Sequence, residues 1–235
     1  MHDYQYACRT IDASGLDRVA PDLKRSLKYA IQTISSPAQG RPLALGASRL
    51  GGVPDLPSGL EWPTWQQAPM AFLAQLNLAE LAPYDPAHLL PPEGMLSFFC
   101  QSQGFGWEEA VDYKATHTGV EEREPGSWQV LFVDGNLTAL QPRAAPAGLS
   151  PVAQLAPCAL QFQLEWTLPP IESLLIESLQ LSRPPAATPL QRLFKRRQDN
   201  SEYQRYLDLC HLFDEEYPGA RPYHRHRVLG YPWQI

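Results

Sequence analysis

The sequence predicts an α+β protein of bent, largely antiparallel sheets, with one helix near the N-terminus and others in the last third. Three observations carry this. Apolar runs of strand length follow one another without a helix between each pair, which argues against a doubly wound parallel sheet. The 24 prolines are spread among tryptophans, leucines and tyrosines, which marks many turns and short strands rather than a disordered tract. Helical periodicity is confined to the two ends of the chain.

Taken in order, Leu23, Leu27, Ala30 or Ile31, and Ile34 recur at three- and four-residue spacing and predict a helix over 21–34. Asp17 or Asp22 is placed to cap it, and Ser35-Ser36-Pro37 with Gly40 ends it. Pro42–Leu45 reads as a short strand. Gly51-Gly52 supplies positive φ cheaply, and Pro54 and Pro57 stiffen the loop around Asp55. Trp62-Pro63 and Trp65 close that loop over the core. From Met70 to Leu78 one face is wholly apolar, while the other carries Gln75 and Asn77.

Met95–Cys100 is a continuous apolar strand, followed by a turn at Gly104 and Gly106 and a polar break over Glu121–Gly126. Trp128–Val133 and Leu137–Leu140 flank Asp134-Gly135-Asn136 and predict a hairpin. Pro142–Pro157, filled with proline and alanine, is the most linker-like segment, yet short enough for a surface loop. Leu160, Phe162, Leu164, Trp166 and Leu168 then alternate with Gln161, Gln163, Glu165 and Thr167, which predicts a strand with a buried apolar face and a solvated polar one. Helices follow over Ile171–Leu179 and over Gln198–Phe213, the second with Tyr203, Tyr206, Leu207 and Cys210 on its inner stripe. Trp62, Trp65, Trp107, Trp128, Trp166 and Trp233 read mostly as core, with Trp233 the first expected at the surface.

At 235 residues and 44% hydrophobic, the chain can bury a sizeable core, and 1–235 reads as one domain. The net charge of -6 favours solubility and argues against a general nucleic-acid or membrane surface. From Arg183 onward nine Lys/Arg outnumber six Asp/Glu, an excess that reads first as neutralising the acidic part of the same fold and second as a surface for an acidic partner. Cys8, Cys100, Cys158 and Cys210 are far apart with no paired spacing, so they read as small hydrophobes in a reducing compartment. No signal peptide or long apolar stretch is present, and a cytoplasmic location is the expectation.

Ser48-Arg49-Leu50-Gly51-Gly52, Pro54-Asp55-Leu56-Pro57, Gly59, Trp62-Pro63 and Phe72-Leu73-Ala74-Gln75-Leu76-Asn77-Leu78 together resemble the signature of the bacterial YwqG-like family, the domain of unknown function DUF1963. Weaker matches are Leu90–Phe99, Val130–Gly135, Leu164–Pro169 and His226–Pro232. The resemblance implies bent antiparallel sheets with an internal duplication and carries no settled activity. Some relatives stand beside bacterial toxin systems, which implies an immunity or protein-binding role. Family members continue beyond the segment at His226–Pro232 into further strands, whereas this chain stops at Ile235. That departure implies a C-terminal truncation and an exposed sheet edge open to homo-oligomer formation.

The usual sequence patterns for a nucleophile elbow, a phosphate cradle or a zinc protease are absent. No cofactor is called for. His224 and His226, two apart on a strand, could face one metal ion, but Arg221, Arg225 and Arg227 oppose a divalent cation there. Asp55 reads first as a loop-stabilising aspartate, and second as a general-base partner of His226. Two functional readings follow. The first is a non-enzymatic module that binds a protein or a ligand on a polar surface of Arg49, Asp55, Trp62, Gln75 and His226. The other is a small hydrolase or metal-dependent enzyme using His224, His226 and Asp55, and the chain could also be an inactive remnant of either.

Overall fold

Asp3 accepts a hydrogen bond from the backbone N of Tyr6 and so starts α1 (Tyr4–Ala13), in which Ala7 and Ile11 are buried one turn apart. The computed structural model describes residues 3–102, 125–135, 137–182, 201–215 and 226–232. The expectations for Gly104, Gly106, Trp107, Glu121, Asn136, Arg221, His224, Arg225 and Trp233 concern residues outside them.

The expected helix over 21–34 is corrected. Helix α2 covers only Ala20–Ser26, and strand β1 runs from Lys28 to Pro37. Ala30, Ile31, Gln32 and Thr33 are buried in succession. A strand covered on both faces loses its alternation, so the apolar positions of α2 and β1 ran together into one helical spacing. No strand forms over Pro42–Leu45.

The remaining strands are β2 (Arg49–Leu50), β3 (Asp55–Pro57), β4 (Thr64–Trp65), β5 (Ala68–Pro69), β6 (Ala71–Asn77), β7 (Met95–Cys100), β8 (Trp128–Val133), β9 (Leu140–Pro142), β10 (Cys158–Thr167) and β11 (His226–Leu229). Seven of them form one sheet in the order β11-β1-β10-β2-β6-β7-β8, beside the ribbons β3-β9 and β4-β5. Pairings β1 with β11, β10 with β2, β2 with β6, β6 with β7 and β7 with β8 are antiparallel. Helices α3 (Leu78–Leu81), α4 (Leu174–Ser178) and α5 (Glu202–Glu215) complete an α+β fold. No helix among the described residues is long and apolar enough to cross a membrane.

The predicted hairpin over 128–140 does not form. β8 pairs along its full length with β7, while β9 pairs with β3. A turn composition sets a local preference worth less than a six-residue ladder that also half-buries Leu131 against Phe72 and Phe99.

The chain divides into two compact units, Met1–Thr33 with Gln163–Ile235, and Ile34–Phe162. In the first, α1, α2 and α5 contribute Ile11, Leu23, Tyr206, Leu209 and Phe213 to one core. The inner stripe of α5 keeps Tyr206 and the half-buried Cys210 of the predicted one and adds Leu209 and Phe213, and the Tyr206 hydroxyl donates to O of Pro169 at 2.6 Å. In the second, Leu56, Met70, Phe72 and Phe99 form the core, with the ring of Trp62 edge-on to Phe99. Trp128 is 59% exposed, against the expectation of a core tryptophan. Cys8, Cys100, Cys158 and Cys210 form no disulfide and are half-buried.

Candidate functional site

The polar residues of the sequence signature converge in the second unit, on the loop from Ala44 to Pro57. Asp55 is 1% exposed, and its Oδ2 accepts hydrogen bonds from Gly46 N at 2.8 Å, Arg49 Nη2 at 2.7 Å and Gln75 Nε2 at 2.9 Å. Gln75, fully buried on β6, returns its Oε1 to Asp55 N at 2.8 Å and gives its Nε2 also to Ala47 O. The Arg49 guanidinium reaches the carbonyls of Ala44, Ala47 and Val53 as well. Side chains thus satisfy backbone groups of Ala44, Gly46, Ala47 and Val53 in this loop.

Gly51 and Gly52 hold this loop against the chain beyond it. Both have positive φ, and their N–H groups donate to Leu73 O and Leu155 O. A Cβ on Gly51 would lie 2.5 Å from Ala156 O, and one on Gly52 would lie 2.8 Å from the Pro157 side chain. The Leu73 carbonyl is available because β6 bulges between Phe72 and Ala74. Asn77, at the end of β6, donates to Gly46 O and caps α3 through Ala79 N. These groups fix architecture.

Trp62 is half-buried and donates its Nε1 to Met70 O at 2.9 Å. His226 belongs to the other unit, where it is exposed at the start of β11 and its carbonyl accepts from the Thr33 hydroxyl. Arg49, Asp55 and Gln75 are therefore brought together by hydrogen bonds, Trp62 stands in the neighbouring core, and His226 joins a different set of contacts. His224 lies outside the described residues. Among those residues no group of three or more His, Cys, Asp or Glu is placed to hold a metal ion.

The first unit contains a constellation that the sequence reading passed over. Near the end of β10 the polar face is the covered one, which corrects the predicted solvated face: Glu165 is 1% exposed and Thr167 4%. Arg227 on β11 places Nε 3.0 Å from Glu165 Oε1, and the Arg227 side chain is itself 12% exposed. The Thr167 hydroxyl donates to Lys28 O and accepts from Tyr231 N. Glu165 and Arg227 open onto a cavity of about 200 Å³, also lined by Leu168, Ile171, Phe213 and Tyr231. The Tyr231 hydroxyl donates to Ser26 O at 2.9 Å, and burial raises its pKa above the ordinary phenol value.

Alternation alone hides this site, since it assigns Glu165 to solvent. The available signal is the isolated Glu165 between Leu164 and Trp166, with Arg227 in the later matched segment. A carboxylate and a guanidinium so placed can hold a ligand's polar head while the aliphatic and aromatic walls take its apolar part.

An α+β protein with an antiparallel seven-stranded sheet, a buried Arg–Asp–Gln network and a part-polar cavity is the class these features define. The family model described as a domain of unknown function (DUF1963) matches residues 48–235, and the chain belongs to that family. A comparison with curated proteins gave no match.

Proposed function

We propose that the protein is a non-enzymatic binding module whose ligand seat is the cavity beside Glu165 and Arg227. The observation that carries this reading is the buried carboxylate–guanidinium contact facing a concave, mostly apolar wall. Two desolvated charges are costly to keep inside a protein unless geometry or function repays them. A cavity that combines fixed polar groups with apolar walls is the usual form of a small-molecule site. Arg49, Asp55 and Gln75 serve this module as scaffold, because the hydrogen bonds they make run to one another and to the loop they hold.

The test is a fragment screen by nuclear magnetic resonance on the full chain, run beside a panel of hydrolase substrates. Saturable shifts at Leu168, Phe213 and Tyr231 without turnover are expected. Turnover that disappears in Glu165→Gln would overturn the non-enzymatic reading, and shifts confined to other surfaces would overturn the seat.

A further inference from the structure

We propose that this cavity selects small organic amines, with the ammonium head on Glu165 and a compact apolar body against Leu168, Ile171 and Phe213. The inference rests on the reading of the cavity as a ligand seat and adds the chemistry of the ligand.

The first observation is a buried carboxylate oxygen whose guanidinium neighbour is not aligned as a hydrogen-bond donor. Glu165 Oε1 lies 3.0 Å from Arg227 Nε, yet among the described residues it accepts no hydrogen bond of sound geometry. The contact is ionic rather than directed. A carboxylate offers about four lone-pair directions, and a buried acceptor left without a hydrogen bond is costly. An incoming N–H group would recover that cost.

The second observation is a neighbouring acceptor in the same state. Gln32 stands opposite Arg227 in the register of β1 with β11, is 3% exposed, and its Oε1 also lacks a donor among the described residues. Two buried acceptor oxygens without a hydrogen-bond donor among the described residues therefore stand on β10 and β1.

Charge points the same way. The formally charged side chains of the described lining are two carboxylates, Glu165 and Glu172, against one guanidinium, Arg227. A cation is drawn to such a wall, whereas an anionic ligand would meet two carboxylates and a guanidinium already facing Glu165. Size limits the body of the ligand. At about 30 Å³ of liquid volume per water, 200 Å³ corresponds to about seven waters, which admits only a compact ligand.

The experiment titrates the full chain with three probes of one shape, phenethylamine, phenethyl alcohol and phenylpropionate, by calorimetry and nuclear magnetic resonance. The expected result is saturable binding of the amine at Leu168 and Phe213, with the alcohol and the carboxylate at least tenfold weaker. Glu165→Gln, checked as folded by circular dichroism, should weaken the amine at least tenfold and leave the alcohol unchanged. Binding of the carboxylate in preference to the amine would keep the seat and overturn the amine. An amine affinity unchanged in folded Glu165→Gln would do the same. Failure of all three probes, with no other fragment entering the cavity, would overturn both readings. The three-probe comparison needs no variant, so it decides even if Glu165→Gln does not fold.

Discussion

Nη2 of Arg49 stands 2.7 Å from Oδ2 of Asp55, with 8% and 1% of the two side chains exposed. Removing one partner leaves the other charge buried without compensation, a loss of about 3–5 kcal/mol. Arg49→Met and Asp55→Ala should each lower the urea midpoint by that measure. The double variant should lose less than the two losses added together, because both remove the same contact.

Gly51 has φ +60° and meets carbonyl oxygens of Leu155 and Ala156 inside 3 Å of a Cβ, while Gly40 has φ +77° and open space around it. Gly40→Ala should cost about 1–2 kcal/mol from backbone conformation alone. Gly51→Ala should cost about 1–3 kcal/mol more, from overpacking against backbone that cannot rotate away. Chemical denaturation of the two variants side by side measures the difference.

Glu202 accepts hydrogen bonds from Arg18 at 2.6 Å and 2.9 Å and from the Ser182 N–H at 3.0 Å, and these, Arg18 foremost, lower its pKa from 4.5 to about 2. A carboxylate with a depressed folded-state pKa stabilises the fold above its unfolded value, and that contribution is lost as pH falls through the folded value. Stability should thus decline between about pH 4.5 and 2. Glu202→Gln should be less stable than the parent at neutral pH and converge on it across this window, as read from thermal unfolding at stepped pH. Arg18 is 55% exposed, so added salt should narrow the difference.

Phe99 is 1% exposed in the core of the second unit, while Trp128 is 59% exposed on the neighbouring strand. Phe99→Ala should cost about 3–5 kcal/mol. Trp128→Ala should stay within about 1 kcal/mol, even though tryptophan is the larger side chain. Urea midpoints with equal slopes would confirm that both values report stability.

The fold was legible where burial and periodicity agreed. β6, β7, β8 and β10 sit where their alternation or apolar runs place them, because each has one dominant face or a clear length. The boundary between α2 and β1 was hidden because Ala30 to Thr33 are covered on both sides. The partner of β8 was hidden because pairing is a tertiary decision that a turn at Gly135 does not make. At the site, the sequence singled out Arg49, Asp55 and Gln75, and their convergence is a matter of three hydrogen-bonded side chains on one loop and one strand. Glu165 and Arg227 were missed for the opposite reason. They are 62 positions apart in numbering, and only strand pairing around β1 and β11 brings their side chains to 3.0 Å.

The segment from Pro142 to Pro157 has the composition of a spacer and behaves as a seam. Arg143 N–H donates to Pro54 O, Leu155 O accepts from Gly52, Pro157 O accepts from Ala38, and Leu149 and Ala153 are buried against Ala71. Cutting it, inserting a tag there or opening new termini within it would therefore unpick backbone on three sides at once. For anyone engineering the chain, the stretch that looks most expendable on paper is one to leave closed.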